Sequence, residues 1–318
     1  MTEIGSLTEE QALSKLGKFG CSDEGTMAFL AMDLSSMNLF DLTGIGLRFT
    51  RLQEIDVSGN RLSSLDELVH LSFLRVLKAS RNELESTDSI ARHQYLENID
   101  LSHNMISDIG DWSSCLYLKV LDCSYNKIKD FSKFVSSSLM HFDCSHNSLT
   151  SLQGLEQLSE IEYLDVSYNE LVSLATIDWN GFAYLSELIV NHNKLTNLSD
   201  LFCPALLSLD LSHNLIAETS ACSTLNDLIC LKNLKLLGCP VCTLPYYRLQ
   251  IIYAVPRVAT LDDIKIDSEE ILQSKNIFAE FLLKREEIWK SVLPNVLCED
   301  VRVVRSDDLL SDANRIVT

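Results

Sequence analysis

Positive charge is scarce in this 318-residue chain: 26 Lys and Arg stand against 45 Asp and Glu, a net charge of −19. A surface that acidic repels phosphate backbones and anionic membranes and favours basic partners, which argues against nucleic-acid binding. Long apolar runs are missing too. No window holds about 18 uncharged apolar residues, so no segment is expected to span a bilayer. The opening stretch, MTEIGSLTEEQALSKLGKFG, lacks a basic segment followed by a continuous apolar one, and so does not read as a signal peptide. G-x-S-x-G, the phosphate-loop pattern and H-E-x-x-H are all absent. The expectation is a non-enzymatic protein with no cofactor, no metal and no small-molecule substrate. In an intracellular, reducing setting the ten cysteines serve as small buried hydrophobes, and the sequon at Asn197 stays unmodified.

What the chain does have is a repeat. LQEIDVSGNRL (52–62), LENIDLSHNMI (96–106), LKVLDCSYNKI (118–128) and IEYLDVSYNEL (161–171) all follow L-x-x-L-x-L-x-x-N-x-L, the leucine-rich-repeat template. The asparagines fall at Asn60, Asn82, Asn104, Asn126, Asn147, Asn169, Asn193 and Asn214, at spacings of 22, 22, 22, 21, 22, 24 and 21. Leu96, Ile99 and Leu101 point inward from a short strand and its approach, and Ile106 and Ile109 cover the return. The asparagine both donates and accepts, so it can satisfy backbone groups where the chain leaves the strand. No single repeat buries its apolar face alone, so stacked repeats share one core. The expected fold is an α/β leucine-rich-repeat solenoid with short parallel strands on the concave face, an irregular, 3-10 or helical convex side, and helical caps.

Breaks in the pattern mark the ends. FLAMDLSSMNLFDL (29–42) puts Met37 in the asparagine slot, and before it Ser6 and Glu9 are spaced as a capping box for a helix ended by Gly17 or Gly20. LKNLKLLGCPV (231–241) continues the series with Cys239 in the slot, 25 residues after Asn214. The expected organisation is a helical cap over 1–26, about nine to ten repeats over 27–240, a repeat cap over 241–266, a helix over 267–290 and a tail over 291–318. Ile271, Phe278, Leu282 and Trp289 share one face of that helix.

Two patterns invite chemical readings. Cys239 and Cys242 have the spacing of a redox pair or half a zinc site, but no βαβ unit surrounds them, and Cys222 and Cys230 are poorly spaced as further ligands. The reading is core and loop packing. Asp-x-Ser-His recurs at 100–103, 143–146 and 210–213, in register with the repeat and replaced by Asp-x-Ser-Tyr elsewhere, unlike an individually shaped triad. As a surface it says more. One outward column reads Asp56, Lys78, Asp100, Asp122, Asp143, Asp165, Ile189 and Asp210. The column beside the asparagines reads Gly59, Arg81, His103, Tyr125, His146, Tyr168, His192 and His213. Nine strands about 4.8 Å apart make a face roughly 40 Å long. Its expected occupant is a basic or helical protein segment, with the Tyr and His positions contributing more than any single aspartate.

LSKLGKFG, FLAMDLSSMNLFDLTGI and FTRLQEIDVSGNRLSSLDELVHLSFLRVLKASRNELES resemble the ciliary radial-spoke family of leucine-rich-repeat-containing protein twenty-three. LKNLKLLGCPVCTLPYYRLQIIYAVPRVATLD is similar to that family's closing segment, and the likeness covers roughly residues 7–287. The closing motif is also shared with phosphatase-regulatory, spliceosomal and dynein-assembly repeat proteins. Its elements here are Pro240, Tyr247, Arg248, Pro256, Leu261 and Asp262, with Cys239 in place of asparagine. The resemblance implies a structural adaptor of the cytoskeleton, in the axoneme of cilia or flagella. Its partners would be radial-spoke proteins and its role support of ciliary motility. The alternative is a regulatory subunit of a cytosolic complex, such as a protein phosphatase or the dynein-arm assembly machinery.

Overall fold

The computed structural model describes residues 7–22, 24–198 and 201–278. Ser6, the distal part of the 267–290 helix with Leu282 and Trp289, and the 291–318 tail lie outside the described residues. Among the described residues, thirteen strands form one sheet in chain order. They are β1 (Leu16–Cys21), β2 (Met27–Asp33), β3 (Glu54–Asp56), β4 (Val76–Lys78), β5 (Asn98–Asp100), β6 (Val120–Asp122) and β7 (His141–Asp143), then β8 (Tyr163–Asp165), β9 (Glu187–Ile189), β10 (Ser208–Asp210), β11 (Asn233–Lys235), β12 (Thr260–Leu261) and β13 (Ile264–Lys265). β2 through β12 pair in parallel, while β1/β2 and β12/β13 are antiparallel hairpins that close the two ends.

Each three-residue strand buries its middle residue (Ile55, Leu77, Ile99, Leu121, Phe142, Leu164, Leu188, Leu209, Leu234) and turns its neighbours outward. Together with the flanking leucines these residues make one continuous apolar column. Burying a leucine or isoleucine is worth about 1.5–3 kcal/mol, and here that burial exists only because the next repeat covers it. The convex return is built from short 3-10 turns at Asp66–His70, Leu155–Gln157, Trp179–Gly181 and Thr224–Asp227, as the pattern predicts. Bulky side chains fill two of the returns. Trp112 and Trp179 are buried, and their indole N–H groups donate to the carbonyls of Ile109 (2.7 Å) and Leu174 (2.8 Å).

The asparagines join neighbouring turns. Asn104 donates from Nδ2 to the carbonyls of Ala79 (3.0 Å) in the preceding repeat and Leu101 (2.9 Å) in its own, and its Oδ1 accepts from Leu84 N–H (3.1 Å). Asn60, Asn82, Asn126, Asn147, Asn169, Asn193 and Asn214 repeat this arrangement. One buried side chain thus satisfies three backbone groups that the open turns would otherwise leave unpaired.

The N-terminal cap differs from the expected helix over 1–26. The helix is Glu9–Ser14, capped by a Thr8–Gln11 box in place of the expected Ser6–Glu9 pair. Gly17 and Gly20 do not end it, because both sit within β1. The reason lies in alternation: Leu16 faces the core while Phe19 faces out, a period of two that a helix cannot satisfy. The C-terminal cap is a mixed unit: the Pro240–Thr243 turn, the Tyr247–Ala254 helix and the β12/β13 hairpin. A further helix runs over 268–278 within the described residues and is opened by a second capping box. There Glu270 N–H donates to Asp267 Oδ1 (2.8 Å), and Asp267 N–H donates to Glu270 Oε2 (3.2 Å). Ile271 packs on the core, and Phe278 meets Tyr253 at a ring separation of 5.7 Å.

Candidate functional site

On the sheet face the register stacks Asp33, Asp56, Lys78, Asp100, Asp122, Asp143, Asp165, Ile189, Asp210 and Lys235 in one row. Each aspartate is held by a local turn. Oδ1 accepts from the N–H of the serine two residues on, at 2.8–2.9 Å for the pairs from Asp100–Ser102 through Asp210–Ser212. The Asp-x-Ser spacing therefore has a structural cause, an Asx turn that ends each strand. It leaves Oδ2 free of that duty. Burial pushes the carboxyls of Asp122, Asp143 and Asp165 above their ordinary range, and the neighbouring carboxylates of the column raise them further. The serine bonds pull the other way. On either side of the central run, Lys78 pairs with Glu54 (3.9 Å) and Lys235 with Asp263 (2.8 Å), so neither lysine is spent on the central four carboxylates.

The aromatic column lies just beyond the strand ends. His103, Tyr125, His146, Tyr168, His192 and His213 each fall three residues past a strand end, along one rim of the sheet. All six are in left-handed backbone, with φ between 51° and 56°. Gly59 and Gly238 occupy the equivalent positions at φ 69° and 76°. The six rings form an unbroken stack with centroid separations of 4.1, 3.9, 4.0, 4.0 and 4.2 Å. Neighbouring rings cover one another's faces, leaving edges to solvent along an open groove lined by Tyr125, His146, Tyr168, His192 and His213. Stacking of this kind offsets the cost of positive φ in non-glycine residues.

The Asp-Ser-His runs are thereby accounted for. In the first, Ser102 Oγ donates to Asp100 Oδ1 (2.7 Å) while the His103 ring stacks on Tyr125. The cysteine pair has an equally specific place. Cys239 Sγ donates to the Leu211 carbonyl (3.2 Å) of the preceding repeat, and Cys242 Sγ donates to the Leu236 carbonyl (3.0 Å) of its own. Those are the two acceptors an asparagine in the slot would take, so two thiols divide the work of one amide. Both are free thiols; burial pushes Cys239 up to about 11 and also raises Cys242, so both favour the protonated form that donates to these carbonyls. Among the described residues no group of three or more His, Cys, Asp or Glu is arranged to hold a metal.

The closing-motif residues converge on the last turns. Asp262 accepts from Leu236 N–H (2.8 Å) through Oδ1 and from the Tyr247 hydroxyl (2.9 Å) through Oδ2. Arg248 forks onto Glu270 (2.6 and 3.0 Å) and reaches the Leu261 carbonyl (3.1 Å). Pro256 is exposed in the link between the Tyr247–Ala254 helix and β12.

Residues 152–291 match the family model described as Leucine-rich repeat, and residues 96–136 match one described as Leucine Rich repeats (2 copies). The chain is a leucine-rich-repeat protein. U2 small nuclear ribonucleoprotein A′ of Homo sapiens and of Mus musculus are each 33% identical over 97 residues, 30% of this leucine-rich-repeat chain and 38% of the relative. The match thus spans well under half of those relatives. An internalin (inlF) of Listeria monocytogenes superimposes with a TM-score of 0.53 at 18% identity, over 79% of this chain and 87% of that one, a likeness of fold. Among the described residues no helix is long and apolar enough to cross a membrane.

The repeat template did not reveal every residue on the sheet face. His141 and Tyr163 stack at 6.0 Å beside the aspartates, and the Tyr163 hydroxyl points to Asp165 Oδ2 (3.5 Å). Phe19, Met27 and Phe29 project from the N-terminal hairpin. The strand period would have exposed this trio had 16–21 been read as a strand.

Proposed function

We propose that this leucine-rich-repeat protein is a protein-binding scaffold whose sheet face grips a basic segment of its partner. The observation that carries this reading is the row Asp100, Asp122, Asp143 and Asp165, stacked strand by strand with their flanking lysines paired elsewhere. Like charges in register repel one another, and a cation laid along the row relieves that repulsion while supplying affinity. The row contributes steering and orientation, and His141 and Tyr163 contribute contact area. Nothing in this role calls for catalysis.

The cellular setting we propose is the ciliary or flagellar axoneme, where the chain would join a radial spoke to neighbouring components. Its support is the family likeness of the N-terminal segments and closing motif. The test is a tagged copy in ciliated cells, with detergent extraction of the axonemes. Retention on extracted axonemes, weakened by Asp122→Lys with Asp143→Lys, is expected. A diffuse signal with nothing retained overturns the placement. The likeness to U2 small nuclear ribonucleoprotein A′ favours a second reading, an adaptor within a nuclear ribonucleoprotein. That reading expects the tagged copy to co-sediment with small nuclear RNA in nuclear extract.

A further inference from the structure

The inner side of the N-terminal cap is sealed by Ala12, Leu30 and Met32, with Leu16 packed against them. Phe19 and Phe29 take no part in that seal. They pair across β1 and β2, meet edge to face at 5.1 Å, and stand on the sheet face that also carries the aspartate row. Phe19 is 60% exposed, Met27 61% and Phe29 46%. An apolar cluster of this size left in water at the end of a protein with net charge −19 is a surface feature that needs a cause.

We infer that the hairpin and the aspartate row form one bipartite track, which takes a basic partner segment carrying an apolar residue at one end. The apolar residue seats on Phe19, Met27 and Phe29, and the cations lie over Asp100 through Asp165. This rests on the reading of the sheet face given above and adds direction and spacing to it. Phe29 lies four residues before Asp33, the β2 position in register with the aspartate row, and so stands about 13 Å from that row along the strand. With strands about 4.8 Å apart, Asp100 is then roughly 19 Å and Asp165 roughly 32 Å from the phenylalanine pair. An extended chain rising about 3.3 Å per residue places its cations roughly six to ten residues from the apolar anchor. A second copy is a poorer occupant of the same hairpin. Lys18 sits at the centre of the edge strand in left-handed backbone (φ 48°), a charge and a local irregularity that both oppose strand-to-strand addition.

The experiment titrates the full chain against two labelled synthetic peptides, followed by fluorescence anisotropy. One carries a phenylalanine, a short Gly-Ser spacer and a run of arginines; the other has glycine for the phenylalanine. The phenylalanine peptide is expected to bind about tenfold more tightly, from partial burial of one aromatic side chain. Phe19→Ser with Phe29→Ser removes that advantage and leaves the glycine peptide unaffected, as does Met27→Gln, which puts a neutral polar group into the cluster while keeping both rings. Asp122→Asn with Asp143→Asn weakens both peptides. Equal binding of the two peptides, with both still weakened by the aspartate changes, overturns the bipartite track and leaves the acidic row standing. Insensitivity of both peptides to the aspartate changes overturns the reading of the row itself. Concentration-dependent dimerisation abolished by the phenylalanine changes reassigns the hairpin to self-association and also overturns the inference.

Discussion

The ring of His213 lies directly against the backbone of Gly238, so that a β-carbon added at residue 238 would overlap the ring's Nδ1, Cε1 and Cγ. Gly238 also has φ +76°. It is the last member of the left-handed column and the surface on which the ring stack ends. Gly238→Ala is expected to cost about 2 kcal/mol, combining positive-φ strain with displacement of His213 from His192. The check is the thermal unfolding midpoint, compared with Gly181→Ala, where the nearest atom is 3.8 Å away and φ is ordinary. A midpoint for Gly238→Ala equal to that control would show that the stack does not depend on its glycine end.

The division of one asparagine's bonds between Cys239 and Cys242 predicts a coupling. Cys242→Ala alone leaves the Leu236 carbonyl without its thiol donor and is expected to cost about 1 kcal/mol. Cys239→Asn supplies an amide with reach to both Leu211 and Leu236, so it should be tolerated, and Cys242→Ala on that background should cost close to nothing. A double-mutant cycle in denaturant reads the difference directly. Additive losses would show that the two thiols act separately. The converse change, Asn147→Cys, removes an amide that donates to both Cys123 and Cys144 carbonyls, and is expected to destabilise by about 1–3 kcal/mol.

The repeat was legible because its cause is local and recurrent: the leucine positions, the asparagine slot and the register all follow from one template. The ring stack was half legible. Its members were found as a column, but their place on the rim depends on positive φ, and the signal for that was Gly59 and Gly238 standing at the same repeat position as the rings. The aspartates were read as surface charges, whereas each also ends its strand by accepting from a serine N–H. The N-terminal hairpin was missed because a helix opened by Ser6 and Glu9 was carried on to Gly17 or Gly20, where alternating exposure decides for a strand. The closing motif named the cap's residues. It gave no hint that Glu270, on the following helix, completes the grip on Arg248.

That grip predicts how the C-terminal end fails. Arg248 and Glu270 are each about a quarter exposed at the side chain, and their forked contact ties the 268–278 helix to the β12/β13 hairpin. Arg248→Lys keeps the charge but not the fork, and is expected to cost about 1 kcal/mol. Amide exchange gives the sharper readout. Thr260 N–H, bonded to the Lys232 carbonyl, should lose protection, while amides in the middle of the solenoid, such as Cys123 N–H, keep theirs. Uniform loss along the chain would mean the cap and the repeats unfold as one unit.

Acidification should destabilise the ring-stack side of the solenoid. Burial lowers His146 and His192 from 6.5, reinforced by His103 and His213 respectively, against the opposing pull of Asp143 and Asp210. Burial also lowers His93, whose Nε2 has no hydrogen-bond partner among the described residues. A histidine whose folded pKa lies below its unfolded value takes up its proton more readily when unfolded. Its contribution is therefore present above pH 6.5 and is lost as pH falls through the folded pKa. The unfolding midpoint should drop between about pH 7 and pH 5. His146→Tyr, which keeps a ring between Tyr125 and Tyr168, should flatten part of that slope. An unchanged slope would show that the stacked histidines do not couple to folding.

The aspartate row sets stability against binding. Asp143 is raised by burial first, and Asp165 adds to it, so the folded chain holds its proton more tightly than the unfolded one. By linkage its charge opposes folding increasingly as pH rises through the folded pKa, and the full penalty is present at neutral pH. Asp143→Asn removes the charge and retains an oxygen to accept from Ser145 N–H, so the strand ending survives. The variant is expected to unfold at a higher temperature than the parent at pH 7, with the gain shrinking toward pH 4. The same variant should bind a basic peptide several-fold more weakly at low salt, and the difference should narrow as salt is raised. Stability and affinity moving in opposite directions is the signature of a surface kept charged for a partner. A variant that loses stability as well as affinity would show instead that Asp143 serves the fold, and the row would then have no claim as a binding surface.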